Sequence, residues 1–147
     1  MPALTGRIDP QHGATVFVKV MQSPEYVEAL KRAGQPYATP VSVLGLLDTG
    51  ASGTALDAQI IAQMRLLQRG TVAIHTPSTG PDLIYRDQYD ATLVLGEMES
   101  PPLAATLPVI ESEFASRGFF ALIGRDILCR CILTYDGPAG TFRLSWP

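Results

Sequence analysis

Leu46-Leu47-Asp48-Thr49-Gly50-Ala51-Ser52 is the stretch on which the reading of the whole chain turns. It ends the apolar run Pro40–Leu47 (PVSVLGLL), which reads as a strand buried on both faces and runs directly into an acidic residue. A carboxyl group in such a place is costly unless it is hydrogen-bonded or held neutral. Thr49 offers a hydroxyl, and Gly50 permits the close turn that leaves backbone N–H groups facing the carboxylate. A turn that presents one carboxyl group is what acid–base chemistry requires. Asp-Thr-Gly is also ordinary turn composition, expected by chance in roughly a few per cent of chains this long. The tripeptide alone decides little; its apolar lead-in and a matching segment downstream carry the argument.

Outward from Asp48, Asp57–Arg69 (DAQIIAQMRLLQR) places Ile60, Ile61, Met64 and Leu67 on one helical face, with Asp57 as cap and Gly70 as terminator. Thr71–Thr76 and Leu83–Gln88 read as the arms of a hairpin whose tip is Pro77-Ser78-Thr79-Gly80-Pro81. Tyr89–Gly96 and Ala105–Ile110 read as further strands, Glu111–Gly118 as a loop or one helical turn, and Phe119–Ile123 as a short buried strand. Gly124 opens a short helix to about Cys129, and Ile132–Tyr135 with Thr141–Trp146 form a closing hairpin over Asp136-Gly137. On the other side of Asp48, Arg7–Ile8 and Ala14–Met21 flank a Pro10–Gly13 turn as a hairpin. Ser23-Pro24 then starts a short helix that Gly34 closes.

Composition agrees with a mainly β chain. The 147 residues include 13 Gly and 12 Pro, an excess of breakers that favours many short elements joined by turns. At 46% apolar and 17% charged the chain is too hydrophobic for intrinsic disorder and long enough for one domain over 1–147. A net charge of −3 without a basic cluster argues against nucleic acid as a partner. No stretch reaches 18 apolar residues and the opening MPALTGRIDPQHG has no apolar signal core, so no membrane partner is expected and a cytoplasmic location is. Cys129 and Cys131 read as two buried thiols in a reducing compartment, and His12 and His75 as surface or hairpin histidines; no metal site and no cofactor is expected. Ser52 and Ser78 lack a nucleophile-elbow context, and Tyr85, Tyr89 and Trp146 read as sheet-packing aromatics.

The second segment is Ala121-Leu122-Ile123-Gly124-Arg125-Asp126-Ile127-Leu128. With it the sequence resembles the retropepsin-like aspartic proteases, the single-domain family that includes the retroviral proteases. Leu46-Leu47-Asp48-Thr49-Gly50-Ala51 and Leu122-Ile123-Gly124-Arg125 match that family's two motifs in order, and Arg86-Asp87-Gln88-Tyr89-Asp90 is similar to the strand after its flap. The likeness is strongest over 40–146. Ser52-Gly53 stands where viral members carry the acidic partner of Arg125, a place that Asp126 or another acid would have to fill.

The resemblance implies a closed, single-domain acid-protease β fold with two or three short helices, a flap hairpin, and a helix plus hairpin near the end. It implies an aspartic endopeptidase acting on extended polypeptide substrates. Asp48, Thr49 and Gly50 would be catalytic. Ala51, Ile74, Pro77, Ser78, Thr79, Gly80 and Ile84 would bind substrate, with Leu107 a further apolar pocket wall. Leu122, Ile123, Gly124 and Arg125 would support the site. One Asp-Thr-Gly supplies one carboxyl group, so the working unit would be a homodimer that brings two copies of Asp48 together at its axis, Thr49 locking the pair. Two like charges about 3 Å apart cannot both ionise, so the pair titrates as a unit and activity peaks at acid to mildly acid pH. For Trp146 the resemblance offers a second reading beside sheet packing, at the interface where the family interleaves its terminal strands. The competing reading is a dimeric peptide-binding or scaffolding module on the same fold without proteolysis; a third is a weak dimer that works only when a partner raises its local concentration.

Overall fold

The structure is a computed structural model that describes residues 1–75 and 82–147. The strands are β1 (Ala3–Asp9), β2 (Gly13–Met21), β3 (Val41–Leu47), β4 (Ala55–Asp57), β5 (Leu67–Ile74), β6 (Ile84–Leu95), β7 (Leu103–Ser112), β8 (Ala121–Ile123), β9 (Ile132–Asp136) and β10 (Thr141–Ser145). Three short helices join them: α1 (Pro24–Arg32), α2 (Ala58–Met64) and α3 (Arg125–Leu128), with a 3₁₀ turn at Ala115–Arg117.

The strands run in the order β5-β6-β7-β4-β8-β3-β2-β1-β10-β9, and β6 also pairs with β2. That extra pairing, Val18↔Leu95 to Met21↔Thr92, closes β6, β7, β4, β8, β3 and β2 into a six-stranded barrel. Its interior is filled by the inward half of each alternating strand: Val16, Val18 and Val20 of β2, Val43 and Leu47 of β3, Leu93 and Leu95 of β6, and Leu56, Val109, Ala121 and Ile123. Each of these is under 9% exposed, which puts the main apolar stabilisation inside the barrel.

Most local signals read from the sequence appear as expected. The β1–β2 hairpin turns over Pro10–Gly13 with Ile8 paired to Ala14. Ser23 Oγ accepts from the Tyr26 N–H at 3.3 Å, Pro24 opens α1, and Gly34 stands at φ +68 just beyond it. Asp57 caps α2, accepting from the Gln59 N–H at 2.8 Å.

Three expectations are corrected. The helix expected over Asp57–Arg69 ends at Met64: Arg65 adopts a left-handed conformation (φ 48) and Leu67-Gln68-Arg69 enter β5. Leu66 is buried and Leu67 is 44% exposed, the reverse of the helical face, because the chain has to enter the sheet as a strand. Gly70 is no terminator; it sits at φ +150 beside a register shift between Gln68 and Gly70 in β5. Leu83–Gln88 and Tyr89–Gly96 are one strand, β6, whose first half pairs with β5 as an arm and whose second half, Ala91–Leu95, is barrel wall. The thiols are not both buried: Cys129 is exposed after α3 and Cys131 half-buried, where burial pushes its thiol up and blunts its reactivity.

Of the three aromatics expected to pack on the sheet, Tyr89 and Trp146 do and Tyr85 does not. Tyr85 is 72% exposed and packs on nothing in the core. Trp146 is 2% exposed within the single chain and donates its Nε1–H to the Pro101 carbonyl at 2.9 Å, so it is a core aromatic, as the sheet-packing reading expects. His12 lies in the first hairpin edge-on to Phe119, and His75 is exposed. Among the described residues no helix is long and apolar enough to cross a membrane.

Candidate active site

Asp48 leaves the barrel at the end of β3, and the turn it starts is built from its own groups. The Ala51 N–H donates to the Asp48 carbonyl at 3.2 Å, and the Gly50 N–H donates to Asp48 Oδ1 at 2.8 Å. Thr49 and Gly50 thus form the turn that the sequence predicts, with one backbone N–H aimed at the carboxylate. Asp48 is half-buried in the single chain, not buried as expected.

The second motif lies directly against this turn because β3 pairs in parallel with β8, Leu46↔Leu122 and Leu47↔Ile123. The Asp48 N–H donates to the Ile123 carbonyl at 2.9 Å, and the Arg125 N–H to the Ala51 carbonyl at 2.8 Å. Arg125 Nη1 donates to the Thr49 carbonyl at 2.8 Å, pinning the turn from its exposed side. Asp126 does not fill the place of the missing acidic partner of Arg125. Its carboxylate accepts from Thr54 instead, N–H to Oδ2 at 2.9 Å and Oγ1–H to Oδ1 at 2.7 Å. Thr54 Oγ1 in turn accepts from the Gly124 N–H at 3.1 Å. Charge-assisted bonds of this kind are the stronger class, so the loop 48–54 and the segment 123–126 form one stitched unit.

Gly124 has to be glycine there, because a Cβ would collide with the backbone of Gly53. Gly53 is less constrained: the nearest atom to its added Cβ is Asp126 Oδ2 at 3.8 Å. Gly124→Ala should therefore lower stability by about 1–3 kcal/mol, in the overpacking range. Thermal unfolding would show this as a drop of roughly 3–10 °C, while Gly53→Ala stays within about 2 °C of wild type. Equal effects of the two would contradict the close approach.

The barrel also lays a rung of side chains, apolar at four of its six places, through Leu46 two residues before Asp48. Thr15, Leu46, Leu122, Ala55, Ile110 and Gln88 are successive cross-strand partners over β2, β3, β8, β4, β7 and β6. All six are half-buried, whereas Leu47 and Ile123, next along β3 and β8, face the core. Leu46, Ala55, Ile110, Thr54 and Asp126 were not foreseen in these places. The parallel pairing that assembles them joins residues far apart in the chain, which no local periodicity reveals; the only hint was polar Thr54 placed just before apolar Ala55-Leu56.

Of the expected substrate contacts, Ala51 lies in the Asp48 turn, and Ile74 and Ile84 are cross-strand partners at the end of the β5–β6 arms. Leu107, on β7, is half-buried and packs against the core. Pro77, Ser78, Thr79 and Gly80 lie outside the described residues. A cleft of about 310 Å³ lies elsewhere, against Phe17, Lys19, Met98 and Phe142, and Asp48 is not among its walls. Among the described residues no group of three or more His, Cys, Asp or Glu stands together as a metal would require. In comparisons with known proteins, no family model matches the chain and no curated protein matches it.

Proposed function

We propose that the chain is a retropepsin-like aspartic endopeptidase that works as a homodimer. The observation that carries this reading is the Asp48-Thr49-Gly50 turn at the mouth of a closed barrel, tied by hydrogen bonds to Ile123 and Arg125 of the second motif. Supporting it, the carboxylate of half-buried Asp48 accepts the Gly50 N–H and meets no cation among the described residues, which leaves it free to share a proton with a twin.

In the dimer the two Asp48 side chains flank one water. One, ionised, takes a proton from that water as its oxygen attacks the peptide carbonyl; the other, protonated, donates a hydrogen bond to the carbonyl oxygen. The tetrahedral intermediate then collapses as the amine leaves with a proton from the pair, and each carboxyl group returns to its starting state. The apolar rung through Leu46, Leu122 and Ala55 favours hydrophobic side chains next to the scissile bond.

The direct test is cleavage of casein between pH 4 and 7, with and without pepstatin. Pepstatin-sensitive cleavage whose specific activity falls on dilution through the dimer dissociation constant is the expected result. No cleavage at any concentration, with pepstatin or peptide still bound, would favour the non-proteolytic peptide-binding module. Activity per milligram that stays constant in a demonstrably monomeric sample would exclude a shared site.

A further inference from the structure

The two faces of the β5–β6 arms are unequal. Side chains two apart in a strand share a face, and the register pairs Gly70↔Gln88, Val72↔Arg86 and Ile74↔Ile84 on one of them. Gly70, Val72, Ile74, Ile84 and Gln88 are all half-buried. On the opposite face Thr71, Ala73 and Tyr85 are exposed, and only Asp87, next to the barrel, is half-buried. The shielded face is thus the inner one of the arms. Gln88 is also the β6 member of the rung through Leu46, Leu122, Ala55 and Ile110, so the inner face carries that rung outward from the barrel.

Arg86 is the exception on this face, charged and exposed where its neighbours are uncharged and half-buried. No acid of the chain answers it. Asp90, the next acid on the same face of β6, pairs with Arg69 at 3.1 Å, and Asp87 stands on the outer face. Residues 76–81 contain no acid, and the ion pairs among the described residues are Lys19–Glu97 and Arg69–Asp90. A guanidinium beside apolar Val72 and Ile84 is weakly hydrated and offers a planar fork that fits a carboxylate by two bonds at once. From β3 to β6 the rung crosses four strand spacings, about 19 Å along the curved sheet, which an extended chain covers in about six residues.

We propose that Arg86 selects substrates carrying an acidic side chain, Asp or Glu, within about six residues of the cleaved bond. This rests on the endopeptidase reading above and narrows its substrate class: polypeptides in which apolar residues at the cleaved bond are accompanied by an acid on the segment laid against the arms.

Peptides with an apolar pair at the centre, and Glu, Gln or Lys placed in turn at each of about six positions to either side, test it with the full chain. Cleavage is read as kcat/KM and binding by fluorescence anisotropy, each as a ratio between peptides within one protein, so that losses of folded protein cancel. At the position that meets Arg86, Glu should exceed Gln by about tenfold and Lys should fall below Gln. Arg86→Ala should bring the Glu-to-Gln ratio to about one, and Arg86→Glu should turn the preference to Lys. Thr71→Glu changes the net charge as much as Arg86→Ala but lies on the outer face, and should keep the wild-type ratio. A wild-type ratio near one at every position, or a Thr71→Glu protein that loses the ratio as Arg86→Ala does, overturns the proposal while the cleavage itself upholds the protease reading. If no peptide is cut but Glu peptides bind about tenfold more tightly than Gln peptides, the protease reading falls and the acid preference of Arg86 stands in a peptide-binding module. If none is cut and Glu and Gln peptides bind alike or not at all, both fall.

Discussion

Asp48→Asn is expected to reduce peptide cleavage by at least about a thousandfold while leaving the fold intact, since each proton transfer by a positioned group contributes about 10²–10⁴ and this side chain supplies both the base and the acid. The two halves of the prediction rest on different atoms. The amide keeps an Oδ1 that can still accept the Gly50 N–H, and the bonds to the Ile123 and Thr49 carbonyls come from the Asp48 backbone and from Arg125, not from the carboxylate. The turn should therefore stand, with a melting temperature within about 2 °C of wild type. What the amide cannot do is accept a proton from water or give one to a leaving amine. Casein cleavage at pH 4–7 beside thermal unfolding checks both halves. An Asp48→Asn protein with wild-type activity would end the protease reading; an inactive one that is also unfolded would show the carboxylate to be structural.

How much of this was legible beforehand depended on the distance over which each interaction acts. Ser23-Pro24, Gly34, the Asp57 cap and the turn after Asp136 are local devices, satisfied by groups within a few residues, and they lie where the sequence puts them. The strand running into Asp48 was also readable, because an unbroken apolar run ending in Asp-Thr-Gly is a local contrast. The errors share one physical origin. Leu67 continues the helical period of Ile60, Ile61 and Met64, yet the barrel draws Leu66 inward and turns the chain into β5. Gly70 looks like a helix stop and is a bulge; Gln88-Tyr89 looks like a boundary and is the middle of β6. In each case pairing with a distant strand overrode the local signal. The stitching of Thr54 to Asp126 spans the barrel in the same way, which is why Asp126 first looked like a partner for Arg125.

Asp57 should set the acid limit of the fold. It is 2% exposed, and its carboxylate accepts three backbone N–H bonds: Gln59 at 2.8 Å on one oxygen, Phe114 at 2.7 Å and Ala115 at 2.8 Å on the other. The first caps α2; the other two clamp the turn after β7, where Phe114 stacks on Phe119 with ring centroids 5.1 Å apart. Burial by itself pushes the carboxyl up, but the bonds from Phe114, Gln59 and Ala115 together outweigh it, so the group is held below the ordinary value of 3.8. A folded value below the unfolded one means stability that is fully present above the unfolded value and is lost as pH falls through the folded one. Asp57→Ala removes every acceptor and leaves buried N–H groups unpaired, so it should cost roughly 3–5 kcal/mol near pH 7, about 10 °C or more in melting temperature. Asp57→Asn keeps one oxygen and turns an NH₂ toward donors, and should fall short of wild type as well. Below about pH 4 the unfolded chain takes up this proton before the fold does, so the gap between the unfolding curves of wild type and variant should narrow as the pH is lowered toward 2. A gap that stayed constant from pH 7 to pH 2 would show that the charge on Asp57 is not what holds the turn. The mildly acid range in which the paired Asp48 groups would work lies above this limit, so the fold keeps its clamp where the proposed chemistry needs it.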